Sequence, residues 1–333
     1  MKANVVAFIS GGIGDQLYHF SQLNFISKYH DSKIDIYCKH YEHMTKIGYN
    51  CDWINEIYDI GDICHPLKFK KFKKITDQIS KRKYQYSYIL HRSTSFKIAA
   101  WISNIKNRIG ISGSLIDRFT LTKNLVYKKN LKNDNVWGRQ PHISVVDNYI
   151  NQFNFDFDNS PPISPAVQKI ENMTNRLKIY NRPFFLINLF SKEEIRQWPV
   201  KHFFEFLKII NQKHPGTFFI SSGIDAMLYH QELLNLAYSE KIKIIEPEKL
   251  QLTLDDEISL YHVANCYIGI DTFSANLAFN CDLPSLVMFA KKSDVLKYRS
   301  KILPIYPSEG KVIGEIGIDL LINKFDEFAK KFL

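Results

Sequence analysis

The chain has 333 residues, of which 45% are hydrophobic and 23% charged, and this composition excludes a disordered, collagen-like or coiled-coil protein. There are 44 Lys and Arg against 34 Asp and Glu, and the formal net charge of +10 favours polyanionic partners such as nucleotides, phosphorylated glycans or acidic lipids. Five cysteines do not suggest a disulfide framework. No apolar run reaches the roughly 20 residues of a membrane span. We therefore expect a cytoplasmic protein whose membrane contact, if any, is peripheral.

Short apolar runs alternate with longer amphipathic segments along the whole chain. In the first half this pattern predicts a strand at 5–9, a helix at 16–29, strands at 34–38 and 86–90, and a helix around 98–105. In the second half it predicts strands at 184–189, 218–221, 242–245, 267–270 and 285–289, with helices at 202–213, 227–236, 255–263 and from Ser274. Such alternation is typical of βαβ units, so the predicted fold class is α/β with parallel sheets.

A polar, proline-rich segment at 159–165 separates the two α/β patterns and predicts a linker. We accordingly expect an N-terminal domain over 1–160 and a C-terminal domain over 161–317. A last helix within 318–333 could pack on either domain, including back on the N-terminal one.

The first candidate site is the turn Gly11-Gly12-Ile13-Gly14-Asp15, between a strand and a helix. Glycines allow a sharp turn and a close approach of the backbone to a ligand. The turn lacks the glycine spacing of a dinucleotide site and the lysine of a P-loop. Asp15 is either the cap of the following helix or a general base at the edge of the sheet.

A second candidate follows the strand at 267–270, where Asp271, Thr272, Ser274 and Asn276 surround a helix start. These side chains either cap that helix or, with its free N–H groups, bind a phosphate. A third candidate is the loop after the strand at 184–189. It contains Ser191 together with Lys192 and Arg196. The charges of Lys192 and Arg196 could meet a diphosphate or remain solvated, while Trp198 is expected to pack internally.

Taken together, these segments resemble family nine of the glycosyltransferases, the bacterial ADP-heptose:lipopolysaccharide heptosyltransferases and their relatives. Gly14-Asp15 is similar to the Gly-Asp pair near the start of that family, and Arg196-Gln197-Trp198-Pro199 to its basic-x-Trp-Pro loop. The remaining similar segments are 86–92, Asn107-Arg108-Ile109-Gly110, Asp271-Thr272 and Leu283-Pro284. Together the segments cover nearly the whole chain.

The resemblance implies a GT-B fold, with two Rossmann-like domains facing a central cleft, and an inverting sugar transfer. Asp15 would be the general base toward a lipopolysaccharide or other surface-glycan acceptor. The implied donor-binding residues are Ser191, Lys192, Arg196, Asp225, Asp271, Thr272, Ser274 and Asn276. The implied acceptor-binding residues are Gly12, Gly14, His91, Arg92 and Ser93. A nucleotide sugar, ADP-heptose by default, would be the co-substrate. We expect no other cofactor and no metal, because helix N-termini and a guanidinium can stabilise a departing diphosphate.

Two positions depart from the family pattern and leave alternatives open. Phe273 stands where the family has a glycine, and Asn276 where it usually has a histidine. A different donor, or a catalytically degenerate nucleotide-sugar or polyanion-binding protein of the same fold, therefore remains an alternative.

The densest basic run lies at 68–83, where Phe72, Ile75 and Ile79 have helical spacing. It predicts an amphipathic helix whose cationic face is either simply solvated or contacts an anionic glycolipid acceptor or the inner membrane leaflet. We expect no nucleic-acid partner, because none of the common nucleic-acid-binding motifs is present.

Overall fold

The computed structural model describes residues 4–61, 69–91, 93–110, 115–124, 161–221, 227–290 and 300–333. It divides into two compact units, Met1–Ser164 and Pro165–Leu333. Arg92, Asp225 and Lys68, which were named from the sequence, lie outside the described residues.

The first unit is built on a six-stranded parallel sheet in the order β3-β2-β1-β4-β5-β6. The strands are β1 Val5–Phe8, β2 Ile34–Cys38, β3 Ile54–Asp59, β4 Tyr86–Ile89, β5 Asn107–Gly110 and β6 Lys123–Asn124. The helices are α1 Ile13–Leu17, α2 Phe20–Tyr29, α3 Tyr41–Gly48, α4 Phe69–Arg82, α5 Thr94–Ile102 and α6 Asp117–Thr120. Strand order reverses direction at β1, which pairs with both β2 and β4. In open parallel sheets, ligands bind at the carboxyl ends of the strands beside such a switch point.

The second unit repeats the architecture, with the parallel order β12-β11-β10-β7-β8-β9. The strands are β7 Phe184–Asn188, β8 Thr217–Ile220, β9 Ile244–Ile245, β10 Cys266–Ile270, β11 Ser285–Met288 and β12 Ile302–Ile305. The helices are α7 Val167–Arg176, α8 Val200–Lys213, α9 Met227–Ser239, α10 Pro247–Leu250, α11 Leu254–Val263, α12 Phe273–Asn280 and α13 Ile318–Phe332. Here the switch point lies between β7 and β10.

Buried strands with apolar side chains on both faces explain why these sheets were readable from the sequence. Every residue of β1, β2, β7 and β10 is buried, as expected for central strands covered by helices on both sides. The α/β class with parallel sheets is therefore confirmed.

Two of the differences between the predicted and observed helices have clear local causes. The segment predicted as one helix at 16–29 is two helices, because the end of α1 tightens so that the His19 N–H donates to the Gln16 carbonyl before α2 begins. The helix predicted around 98–105 instead spans Thr94–Ile102, and Asn104 just beyond it has the left-handed φ of 57°. A left-handed residue there is a common helix terminator.

From residue 161 onward, the proline-rich segment is packed rather than free. Trp53 Nε1 donates a hydrogen bond of 2.6 Å to the Pro162 carbonyl, and Ile163 is fully buried. The Ser164 N–H donates to the Asn50 carbonyl. The end of this segment is therefore part of the first unit.

The C-terminal helix α13 packs within the second unit. Leu321, Phe325 and Phe328 belong to that unit's core, and the Phe325 ring lies 6.0 Å from the Phe206 ring of α8. None of the described helices combines the length and apolar composition that a bilayer-spanning segment requires.

His30, which ends α2, gives the first unit a predicted acid sensitivity. Its Nε2 lies 2.6 Å from the Tyr88 hydroxyl, and burial lowers its pKa from 6.5 to about 4. Between these values the unfolded chain binds the proton and the folded chain does not, so the free energy of unfolding should fall as the pH decreases. Because the His30 ring is partly exposed, we expect it to lower the free energy of unfolding by only about 1 kcal/mol between pH 7 and pH 5.

Urea titrations at both pH values would measure this cost in the wild type and in a His30→Gln variant. The variant should lose less stability on acidification than the wild type. His43→Gln is the control, because it replaces an exposed histidine of the same unit. Equal pH dependence of His30→Gln and the wild type would contradict the assignment.

Candidate functional site

The turn after β1 is shaped around Asp15. Gly11 has φ of 111°, and a Cβ placed there would lie 2.9 Å from Asp15 Cβ, so only glycine fits. Gly12 is the N-cap of α1, and its N–H donates to Asp15 Oδ2 at 3.1 Å. Asp15 is nevertheless exposed. Asp15 is therefore not the N-cap itself but the third residue of α1, whose side chain accepts from the N-cap backbone while remaining exposed.

The turn after β4 lies beside this one, because β4 pairs with β1 in parallel. His91 Nδ1 accepts a hydrogen bond of 3.1 Å from the Ser93 N–H, and its ring contacts Phe96. Ser93 is the N-cap residue of α5. The switch point of the first unit therefore brings Gly12, Asp15 and His91 to the same edge of the sheet.

The centre of the corresponding edge in the second unit is Asn188, the last residue of β7. It is 3% exposed, and its Nδ2 lies 3.2 Å from Thr272 Oγ1, 3.0 Å from Ser274 Oγ and 2.9 Å from the Ser221 carbonyl. One amide therefore joins the ends of β7, β8 and β10. Sequence analysis missed this residue, although a polar side chain ending the apolar run Phe184–Ile187 was an available signal.

Arg196 connects the loop after β7 to the turn after β10. Its Nη1 lies 3.5 Å from the Asp271 carbonyl, and its Nε lies 3.0 Å from Glu193 Oε2. The structure thus brings together two segments that are 75 residues apart. A guanidinium at this position is suited to binding a diphosphate.

The other predicted residues of this loop have different environments. Ser191 is 8% exposed, and its Oγ accepts from the Glu193 N–H. Lys192 is exposed. Trp198 is fully buried, and its Nε1 donates to the Ile316 carbonyl at 2.9 Å. The packing role predicted for Trp198 is confirmed.

The turn after β10 leads directly into α12. Thr272 is the N-cap residue, but its side chain makes no capping hydrogen bond. Ser274 Oγ donates to the Ser221 carbonyl at 2.5 Å, and Asn276 Nδ2 donates to the Thr272 carbonyl at 2.9 Å. Asp271 is 4% exposed. The side chains of Ser274 and Asn276 therefore hold the turn itself, and the helix N-terminus supplies the groups suited to an anion.

A half-buried acid of α11 supports the same edge. Glu257 Oε1 accepts from Ser221 Oγ at 3.2 Å, and Ser221 Oγ also bonds to the Tyr261 hydroxyl. Burial raises the pKa of Glu257 and, more strongly, that of Tyr261. The sequence carried no signal for this cluster, because its members come from β8 and α11.

A large cavity in the first unit is lined by none of these residues. It has a volume of about 1120 Å³ and runs along the edge strand β3 between α3 and α4, with Tyr41, Tyr49, Lys70, Lys71 and Lys74 among its lining residues. None of the site residues predicted from the sequence lines it. Within the described ranges, no group of three or more His, Cys, Asp or Glu side chains is arranged to hold a metal ion.

Comparison with known proteins finds relatives by structure alone. No protein-family model matches the chain, and no curated protein sequence matches it. A glycosyl transferase family 9 protein from Veillonella parvula has a TM-score of 0.77 at 14% identity, over 99% of both chains. The ADP-heptose lipopolysaccharide heptosyltransferase II of E. coli has a TM-score of 0.73 at 13% identity, over 98% of this chain and 99% of that one.

A more distant likeness is to the UDP-GlcNAc 2-epimerase of Methanocaldococcus jannaschii. Its TM-score is 0.54 at 12% identity, over 99% of this chain and 94% of that one. At such identities the likeness concerns the fold. The similarity to family nine that the sequence motifs indicated is thereby confirmed in the structure, and the chain has the α/β fold of GT-B type that these glycosyltransferases share.

Proposed function

We propose that the protein is an inverting glycosyltransferase that moves a sugar from a nucleoside diphosphate to an acceptor hydroxyl. The observation that carries this proposal is the edge of the second unit, where Arg196 lies 3.5 Å from the Asp271 carbonyl beside the N-terminus of α12. A guanidinium and free N–H groups at one place stabilise the negative charge that develops on a departing diphosphate. The higher TM-scores of the two glycosyltransferases favour transfer over the epimerase reaction.

In this proposal Asp15 accepts the proton of the acceptor hydroxyl. The hydroxyl oxygen then attacks the anomeric carbon of the sugar, and the bond from that carbon to the phosphate oxygen breaks. The electron pair of that bond leaves with the nucleoside diphosphate. Positioned general bases contribute typically 10²–10⁴-fold to such reactions. The proposal needs no metal ion or further cofactor.

The donor proposed first is ADP-heptose, because one structural neighbour is named for that sugar nucleotide. The acceptor proposed is a lipopolysaccharide or another anionic surface glycan. Its support is the helix α4, which has exposed lysines and covers most of the basic segment 68–83. We also propose that this segment contacts the inner leaflet of the membrane and that the protein is cytoplasmic.

A transfer assay tests the reaction. Purified protein would be incubated with ADP-heptose, with other nucleotide sugars and with a core-glycan acceptor, and the product would be detected by mass spectrometry. A mass increase of the acceptor by one sugar supports the proposal. Tight nucleotide binding without transfer or hydrolysis of any donor would instead favour a degenerate binding protein. That alternative is favoured by Phe273 and Asn276, since the Asn276 amide is used within its own helix.

We expect Arg196→Gln to weaken nucleoside diphosphate binding by about 10- to 100-fold, the range for loss of a charge-assisted hydrogen bond. Isothermal titration calorimetry with ADP and UDP would measure it. Lys249→Gln is the matched control, because it removes one positive charge from an exposed position of the same unit. If the Arg196→Gln and Lys249→Gln variants bound ADP and UDP with equal affinity, Arg196 would not contact the diphosphate.

A further inference from the structure

Three helices cover one face of the first sheet. Helix α4 connects β3 to β4, α5 connects β4 to β5, and α6 connects β5 to β6, so all three crossovers proceed in one direction across the sheet. Right-handed crossovers in one direction place their helices on the same face. Consistent with this, α5 contacts both α4 and α6.

An apolar patch is exposed at the α5–α6 end of this face. Its members are Trp101 (51% exposed), Ile102 (55%), Leu115 (72%), Ile116 (52%) and Phe119 (78%). The segments are tied together beneath it, since Lys97 of α5 pairs with Asp117 of α6 at 2.8 Å. Arg108 Nε also donates to the Thr120 carbonyl at 2.6 Å. Large apolar side chains grouped on a surface mark an interaction site, whereas single ones are ordinary.

The same face is strongly basic at its α4 end. Helix α4 exposes Lys70, Lys71, Lys73, Lys74 and Lys81 and contains a single acidic residue, Asp77. Phe69 at its start is 74% exposed. Near the apolar patch, Lys106 and Arg118 are also exposed.

The combination of lysines with exposed apolar side chains on this face distinguishes between a protein partner and a membrane. Lysine is depleted from protein–protein interfaces, where aromatic residues are enriched. Aromatic and aliphatic side chains beside many lysines are instead typical of surfaces that lie in the interface of an anionic membrane. Each basic residue near such a surface is attracted by the anionic headgroups.

We propose that the α4–α5–α6 face is a membrane-docking surface for an anionic phospholipid bilayer. The side chains of Leu115, Ile116 and Phe119 enter the boundary between headgroups and acyl chains, and the lysines of α4 contact the headgroups. This surface extends the membrane contact proposed for the basic segment and gives it an apolar anchor. Vesicle binding is measured without donor or acceptor, so its failure is distinguishable from failure of the sugar-transfer proposal.

The test is co-sedimentation of the full chain with vesicles of phosphatidylethanolamine and phosphatidylglycerol. Wild type should bind these vesicles and lose binding when phosphatidylcholine replaces phosphatidylglycerol or when salt is raised. The double variant Leu115→Ser/Phe119→Ser should reduce the partition coefficient about tenfold or more, because two exposed apolar side chains no longer enter the membrane. Its melting temperature should not fall, because both side chains are exposed in the folded protein.

The matched control is Ile179→Ser/Tyr238→Ser, which removes one aliphatic and one aromatic side chain that are 75% and 89% exposed on the second unit. It should leave vesicle binding unchanged, while Lys70→Gln/Lys71→Gln/Lys74→Gln should weaken it. Three results would overturn the proposal. They are no binding of the wild type, equal loss in the control, or a wild-type dimer that the Leu115→Ser/Phe119→Ser change dissociates without any effect on vesicles.

Discussion

Replacing Asp15 by asparagine is expected to reduce the turnover number for sugar transfer by a factor of about 10²–10⁴, the usual contribution of a general base. The asparagine side chain keeps an oxygen that can accept the Gly12 N–H bond now made by Asp15 Oδ2. The capping interaction therefore survives while the proton acceptor is lost. Because Asp15 acts on the acceptor hydroxyl and not on the diphosphate in the proposed mechanism, donor affinity should remain unchanged.

The variant Asp15→Ala separates catalysis from capping. It removes both functions, so it should match Asp15→Asn in turnover and also lower the free energy of unfolding by about 1 kcal/mol. Kinetics with saturating donor and urea titrations would measure the two effects. Wild-type turnover in Asp15→Asn would contradict the assignment of the base. If only Asp15→Ala lost activity, the role of Asp15 would be to shape the turn.

The strands with continuous apolar runs were predicted from the sequence, including the short edge strand Ile244–Ile245, whereas β3, β5, β6 and β12 were not, for a physical reason. Central strands such as Val5–Phe8 and Phe184–Asn188 are buried on both faces and form continuous apolar runs. The edge strand Ile54–Asp59 has three exposed polar residues, Asn55, Glu56 and Asp59, so its pattern is not distinct from a loop. The edge strand Ile302–Ile305 contains Pro304, and a proline within an apolar run argues against predicting that run as a strand.

In the candidate site, features formed by residues close in sequence could be predicted, whereas contacts between distant segments could not. Gly11 and Asp15 could be recognised because a turn and a helix start are local features. The partners of Asn188 could not, because Ser221 and Thr272 lie 33 and 84 residues further along the chain. Their meeting depends on the strand order of the second sheet. Spacing alone does not reveal that order.

Lys97 is the clearest case in which a local pattern misleads. In the segment Thr94–Ile102 a lysine would ordinarily face solvent, yet the Lys97 side chain is 1% exposed and lies 2.8 Å from the equally buried carboxylate of Asp117. Asp117 follows β5, so only the packing of α6 beside α5 brings this partner into place. A buried charge is tolerated when a partner of opposite charge neutralises it.

We therefore expect Lys97→Met to lower the free energy of unfolding by about 3–5 kcal/mol, because Asp117 would keep an uncompensated charge in the interior. The double variant Lys97→Met/Asp117→Leu should recover most of this loss, since an apolar pair of similar volume requires no desolvation of charge. Urea titrations of the wild type and of both variants measure the two differences.

The exposed pair formed by Lys208 and Glu240 provides the control. Its N–O distance is 2.6 Å, but 31% and 40% of the two side chains are exposed, so Lys208→Met should lower the free energy of unfolding far less than Lys97→Met. The contrast isolates burial as the cause, since both pairs join a lysine to a carboxylate at nearly the same distance. If Lys97→Met lowered the free energy of unfolding no more than Lys208→Met, water would have to reach the Asp117 carboxylate inside the first unit. The α5–α6 packing that supports the exposed apolar patch would then be looser than the structure shows.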